Sequence, residues 1–181
     1  MKIAVLVAPG SEDIETVVPT DLWRRAGISV TLISILPNKE INLSNSIRII
    51  TSTTLADENL SDYDAFFLPG GSGIKYLDDE HAAKFIEFAK ANAKNEKIKF
   101  LAICAAASKF GEWNMLTDIS ATGYPGTTST YQSTYVDKPV VVCKNFITSQ
   151  GPGTSFQFAL AVISECLGKE KAEEIKKQTI Y

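Results

Sequence analysis

Apolar runs of strand length alternate along this chain with segments of helical period, and that alternation leaves few folds open. Ile3 to Val7 is apolar throughout, Asp64 to Leu68 and Lys99 to Ile103 supply further buried strands, and Ile28 to Ile35 reads as the second strand. A strand with one wet face alternates polar and apolar residues, whereas an unbroken apolar run fits a strand covered on both faces, as in a parallel sheet. Parallel neighbours need a long crossover, which the intervening helical segments provide. The spacing predicts an α/β layer sandwich.

The first helix is expected from about Asp13 to Arg25, with Ile14, Val17, Val18 and Leu22 as its apolar face and Pro19 bending it. Ser11, Glu12 and Asp13 supply its cap and first-turn charge, and Gly27 ends it. A small hairpin is predicted between Glu40 and Thr51 around Asn45-Ser46, and a helix from about Asp79 to Asn92 with Ala82, Phe85, Ile86 and Ala89 inward. Ile119 to Thr122 reads as a short strand, and the stretch from Gly126 to Tyr135 is rich in Thr, Ser and Tyr. Val140 to Cys143 and Phe146 to Thr148 form a hairpin around Lys144-Asn145. The final helix is placed from about Gly153 to Leu167, burying Phe156, Ala159, Leu160 and Ile163.

With 181 residues and neither repeats nor low-complexity linkers, the chain reads as one domain, 1–181. A formal charge of −3 without basic runs argues against direct nucleic-acid binding. Cys104, Cys143 and Cys166 are too few and too widely spaced for a disulfide framework or a CxxC zinc site, so no metal is expected. The apolar start is too short for a signal peptide, and no stretch is long enough to span a membrane. A reducing, cytoplasmic setting is the expectation.

Chemistry centres on Lys99 to Ser108, where a buried strand runs into an alanine-rich helix with Cys104 at the junction. Backbone N–H groups at a helix start favour a thiolate, the nucleophilic form, although a cysteine in an apolar strand commonly serves only as a small core residue. Ligands of open α/β sheets sit beyond the carboxyl ends of the strands, where Cys104 lies. Gly70-Gly71 ends another buried strand and permits close backbone approach. Gly151-Pro152-Gly153-Thr154 is not followed by Gly-Lys-Ser/Thr and is no phosphate loop. His81, the only histidine, starts a polar helix and is expected to face solvent, while Cys143 and Cys166 are expected to be buried.

Gly10-Ser11-Glu12-Asp13-Ile14-Glu15-Thr16-Val17-Val18-Pro19, Arg24-Arg25-Ala26-Gly27, Leu68-Pro69-Gly70-Gly71, Ala102-Ile103-Cys104-Ala105 and Gly151-Pro152-Gly153-Thr154-Ser155-Phe156 resemble, in order and spacing, the ThiJ/PfpI superfamily, nearest its Parkinsonism-associated deglycase branch. The resemblance implies a flavodoxin-like three-layer sandwich with a mostly parallel sheet, a nucleophile-elbow cysteine and homodimers. It makes Cys104 the nucleophile and Glu15 its carboxyl partner, puts the N–H groups of Gly71 and Ala105 around an oxyanion, and has Gly70, Gly151 and Pro152 line the substrate pocket. It further implies cofactor-independent glyoxalase or deglycase chemistry on methylglyoxal-type 2-oxoaldehydes or early glycation adducts. The alternative is a redox-responsive stress protein or chaperone with an oxidisable cysteine.

Three departures accompany the match. Active relatives carry a histidine before a proline where this chain reads Gly123-Tyr124-Pro125, so Tyr124, or Gly123 with another gap placement, stands in its place. Tyr124 thereby joins Cys104 and Glu15 as a catalytic candidate, whose hydroxyl can donate or relay a proton though it is a poor base. Ala105 occupies the position of the histidine that follows the cysteine in PfpI-type peptidases. Asn45 and Gln150 stand where the nearest branch has arginines, which should weaken binding of anions. A second copy is expected to pack against the first helix, because Trp23 lies off its apolar stripe and would be exposed.

Overall fold

The computed structural model describes residues 1–127, 129 and 135–181. Strands β1 (Lys2–Val7), β2 (Ser29–Ser34), β5 (Thr53–Thr54), β6 (Ala65–Leu68), β7 (Lys99–Ile103), β8 (Val140–Cys143) and β9 (Phe146–Ser149) form one sheet in the order β5-β2-β1-β6-β7-β9-β8. All neighbours run parallel except β8, which returns antiparallel along β9. β3 (Glu40–Asn42) and β4 (Arg48–Ile50) make the separate hairpin that the sequence predicts.

Helices α1 (Asp13–Arg25), α2 (Ala83–Asn92), α3 (Ala107–Glu112), α4 (Ser155–Leu167) and α5 (Lys169–Gln178) complete the flavodoxin-like, three-layer sandwich. Successive side chains of a strand point to opposite faces, and the two phenylalanines of β6 show the result. Phe66 packs with Phe85 and Phe100 on one side of the sheet, while Phe67 packs with Trp23 and Phe158 on the other. Burying each such ring contributes roughly 1.5–3 kcal/mol. No helix among the described residues is long and apolar enough to cross a membrane.

Several expectations are corrected. On α1, Ile14 and Val17 are exposed, and the inner face is Glu15, Thr16, Pro19, Leu22 and Trp23. Trp23 is fully buried, its indole N–H donating to Ala159 O at 3.2 Å, so it is no contact surface for a second copy. The physical reason is that α4 packs on this side and supplies both apolar cover and an acceptor for the indole. Glu12, not Ser11, caps α1, accepting from Glu15 N at 2.8 Å, while Ser11 Oγ accepts from Ala8 N.

The expected helix at Asp79 starts with a tight turn, Glu80–Ala82, before α2. Ile119 to Thr122 forms no strand, since only Ala121 bridges, to Tyr135. Most of the stretch from Gly126 to Tyr135 lies outside the described residues. α4 buries Phe158 and Val162 and leaves Phe156 and Leu160 half-buried, and it is not the last helix, because α5 follows. α5 is missed because only Ala172 and Ile175 are buried in a lysine- and glutamate-rich segment. Cys143 and Cys166 are half-buried, lying at the ends of an edge strand and of a helix where one side meets solvent.

Candidate active site

The site is assembled where three parallel strands stop. β6 and β7 run in register with Leu68 beside Ala102, which carries Pro69-Gly70-Gly71 alongside Ile103-Cys104. β9 pairs Ser149 with Ile103, so Gly151 emerges on the other side of Cys104. Ile103 is still extended, Cys104 has a φ of 61°, and a tight turn, Cys104–Ala106, leads into α3. A left-handed cysteine is strained, and here the strain turns the chain sharply at the reacting atom.

Glu15 enters from the first turn of α1 and is completely buried, while Cys104 is 9% exposed. Glu15 Oε2 accepts from Gly70 N at 2.7 Å, and Oε1 is buried without a nitrogen or oxygen partner. The carboxyl stands beside the thiol and each acts on the other's titration. Burial first of all raises the Glu15 carboxyl from 4.5 to about 7, against the opposing pull of the Gly70 N–H and Cys104. Burial, then the charge of Glu15, pushes the Cys104 thiol up to about 12, although N–H groups of Ala105 and Gly71 favour the thiolate.

The helix start alone therefore does not lower the thiol, contrary to expectation. α3 has six residues, and its partial charge is outweighed by burial and a neighbouring carboxylate. As a coupled pair, the site releases one proton near pH 7 and keeps the second until about pH 12. Near neutral pH the pair passes from uncharged to a single negative charge, and Cys104 is a thiolate when the remaining proton sits on Glu15. That arrangement suits attack on an electrophilic carbon followed by proton transfer through Glu15.

Surrounding backbone fixes these groups. Glu12 N donates to Gly70 O at 3.0 Å, and Gly71 bridges to Ser11. The turn of the β3-β4 hairpin clamps the same loop: Ser44 Oγ donates to Gly10 O at 2.6 Å, and Asn45 donates to Asp13 Oδ2 from its backbone at 2.8 Å and its amide at 3.1 Å. The loop after β9 is self-bonded, with Thr154 Oγ1 donating to Gly151 O at 2.8 Å and lying 2.6 Å from Ser149 Oγ.

This site geometry is joined by similarity along the whole chain. The DJ-1/PfpI family profile matches residues 1–165. The chain belongs to the DJ-1/PfpI family. Among relatives, it is 34% identical to the Danio rerio Parkinson disease protein 7 homolog over 97% of this chain and 95% of the relative. It is 26% identical to the Schizosaccharomyces pombe glutathione-independent glyoxalase DJ-1, over 98% of this chain and 97% of that protein. A DJ-1 superfamily protein from Salmonella typhimurium superposes with a TM-score of 0.91 at 28% identity, over 99% of this chain and 98% of that one. Oxidized Toxoplasma gondii DJ-1 does so with 0.87 at 27%, over the same shares.

Within this DJ-1/PfpI chain, Tyr124 meets Cys104 through its backbone, its N–H donating to Cys104 O at 3.2 Å. Its side chain is half-exposed and lies against Gly151. Pro152 follows in the Pro152–Thr154 turn. His81 is exposed and paired with Asp79, away from this cluster in the turn before α2. Asn45 and Gln150 are engaged locally, Gln150 donating to Asp137 at 2.7 Å. Sequence reasoning missed Ser44 and Asp13, whose roles depend on a hairpin folding back over the first loop.

Proposed function

We propose that this DJ-1/PfpI chain is a cofactor-independent glyoxalase acting on methylglyoxal-type 2-oxoaldehydes, with deglycase-like action on early glycation adducts by the same chemistry. The observation that carries the reading is a fully buried glutamate beside Cys104 that titrates at about 7, where a group can both give and accept a proton. The name of the Schizosaccharomyces pombe relative supports it.

The Cys104 thiolate adds to the aldehyde carbon, and N–H groups of Gly71 and Ala105 receive the developing oxyanion. Glu15 gives its proton to that oxygen, forming a hemithioacetal. Its carboxylate then takes the proton from the former aldehyde carbon and returns it to the neighbouring carbon, while the hydroxyl proton passes to the former ketone oxygen, leaving a thioester of a 2-hydroxy acid. Water releases the acid and the thiol, so methylglyoxal plus water gives lactate with no external oxidant or cofactor.

The purified protein, with Cys104 verified as reduced in thiol-free buffer, is expected to form lactate from methylglyoxal, and Cys104→Ser to lose at least about a hundredfold of that rate. Tyr124→His should raise turnover without changing the alkylation rate of Cys104 if a second base is what the site lacks. Absence of turnover from a reduced, readily alkylated thiol would overturn the enzyme reading in favour of the second one.

That second reading, a redox-responsive stress protein, is favoured by the position before Pro125, where the half-exposed Tyr124 stands in place of a histidine that could serve as a base. Peroxide would oxidise Cys104 to the sulfenic and then the sulfinic acid, releasing one water at each step, and protonated Glu15 would hydrogen-bond the product. The oxidized Toxoplasma gondii relative supports this possibility. A cytoplasmic setting would keep the thiol reduced between such events.

We also assign a second copy of this chain as partner, on the opposite side of α1 from Trp23. Ile14 and Val17 are exposed there, and Val17, Leu32 and Ile49 line a shallow groove of about 280 Å³. Val17→Glu is expected to shift the sedimentation coefficient from dimer to monomer; an unchanged dimer would place the interface elsewhere.

A further inference from the structure

The two N–H groups that favour charge on Cys104 come from separate pieces of chain. Gly71 opens a seven-residue tight turn, Ser72–Asp78, and Ala105 lies in the turn Cys104–Ala106 ahead of the six-residue α3. Segments this short have little intrinsic stability, so tertiary contacts must set their spacing. Leu77 and Phe110 bring both pieces into one apolar core, but apolar contact is non-directional.

The directional contact is Lys109 on α3. Its ammonium lies 2.8 Å from Asp78 Oδ1, 2.8 Å from Asp78 Oδ2 and 2.7 Å from Glu112 Oε2. Lys109 is 6% exposed and is the only buried lysine among the described residues. Burial works against its charge, yet the two carboxylates outweigh burial and hold the ammonium protonated. The partners differ in what they connect: Glu112 lies one turn along the same helix, whereas Asp78 ends the turn that Gly71 begins.

We propose that Lys109 is a positioning residue for Cys104, whose bridge to Asp78 locks the Gly71 turn against the Ala105 turn so that both N–H groups meet one sulfur. The inference rests on the assignment of Gly71 and Ala105 as donors at Cys104, and it holds whether that thiol turns over substrate or only reacts with oxidants. Displacing one donor by about 1 Å is enough to cost on the order of a hundredfold in a positioned reaction.

The test measures the rate of Cys104 alkylation by iodoacetamide across pH, beside lactate formation and thermal unfolding, in the full chain. Lys109→Met, which keeps the length of the stem, and Asp78→Asn should each slow alkylation about tenfold and displace its pH midpoint. Lys109→Arg should restore most of the rate, and the double variant should lose no more than either single one. Glu112→Gln should leave alkylation near the parent value, because it breaks only the bond within α3. A purely structural lysine would instead lower the unfolding temperature in all three neutralising variants with alkylation and its midpoint unchanged, which would overturn the proposal. Because alkylation needs no turnover, a protein without glyoxalase activity still gives the answer.

Discussion

Glu15→Gln is expected to make the protein more stable at neutral pH and about a hundredfold slower or more in lactate formation. The carboxyl is raised from 4.5 to about 7 mainly by burial, so the native state holds this proton more tightly than the unfolded chain does. Its contribution to stability is therefore fully present below about pH 4.5 and is lost as pH rises through about 7, a loss of about 3 kcal/mol at 1.36 kcal/mol per unit. Glutamine does not titrate, yet its carbonyl can still accept from Gly70 N and its amide can donate to the sulfur. Urea unfolding of both proteins between pH 4 and pH 8 should show the variant gaining on the parent by about 3 kcal/mol over that span. A constant offset would mean that Glu15 ionises in the folded protein as it does in water. Stability and activity should move in opposite directions because the uncompensated burial that destabilises the carboxylate also tunes it for proton transfer.

Legibility in the sequence follows the range of the interactions concerned. The unbroken run of β1 and the strand-helix junction at Cys104 announce a parallel sheet and its elbow, because these are properties of contiguous residues. α1 shows where such reading fails. A helical period admits both the stripe through Ile14 and Val17 and the one through Glu15, Pro19 and Trp23, and the neighbouring α4, more than a hundred residues away, selects the second. An acid in the first turn of a helix ordinarily just serves the helix dipole, and only the resemblance marks Glu15 out. Ser44 and Lys109 carry no local signal of a role at the site and Asp13 reads only as first-turn charge, since the bonds that matter, to Gly10, Asp78 and Asn45, reach other segments. For the same reason burial reversed the expected direction of the Cys104 shift: a helix start is visible in sequence, whereas desolvation and an adjacent carboxylate are tertiary facts.

Gly70→Ala should disable the site with a single methyl group. Gly70 is not in the left-handed region, so its backbone would accept alanine, and the obstacle is space alone. A Cβ there would lie 2.8 Å from Cys104 Cβ, 2.8 Å from Glu15 Oε2 and 3.1 Å from Ile103 O. None of these can swing aside easily: the first is rooted in a strained elbow, the second is bonded to Gly70 N, and the third belongs to the sheet. Relief therefore has to displace Glu15 and Cys104 from Gly70. The expected result is about 1–3 kcal/mol of lost stability from overpacking, with turnover or thiol reactivity falling on the order of a hundredfold. Gly153→Ala supplies the control, since a Cβ at Gly153 meets nothing within 4 Å and the variant should behave as the parent. Measured side by side by thermal unfolding and Cys104 alkylation, equal behaviour of the two variants would show that contact between Gly70, Glu15 and Cys104 does not govern the chemistry. A selective loss at Gly70 would tie the reactivity of Cys104 to its close packing against Glu15, the feature that a lone cysteine at a helix start does not have.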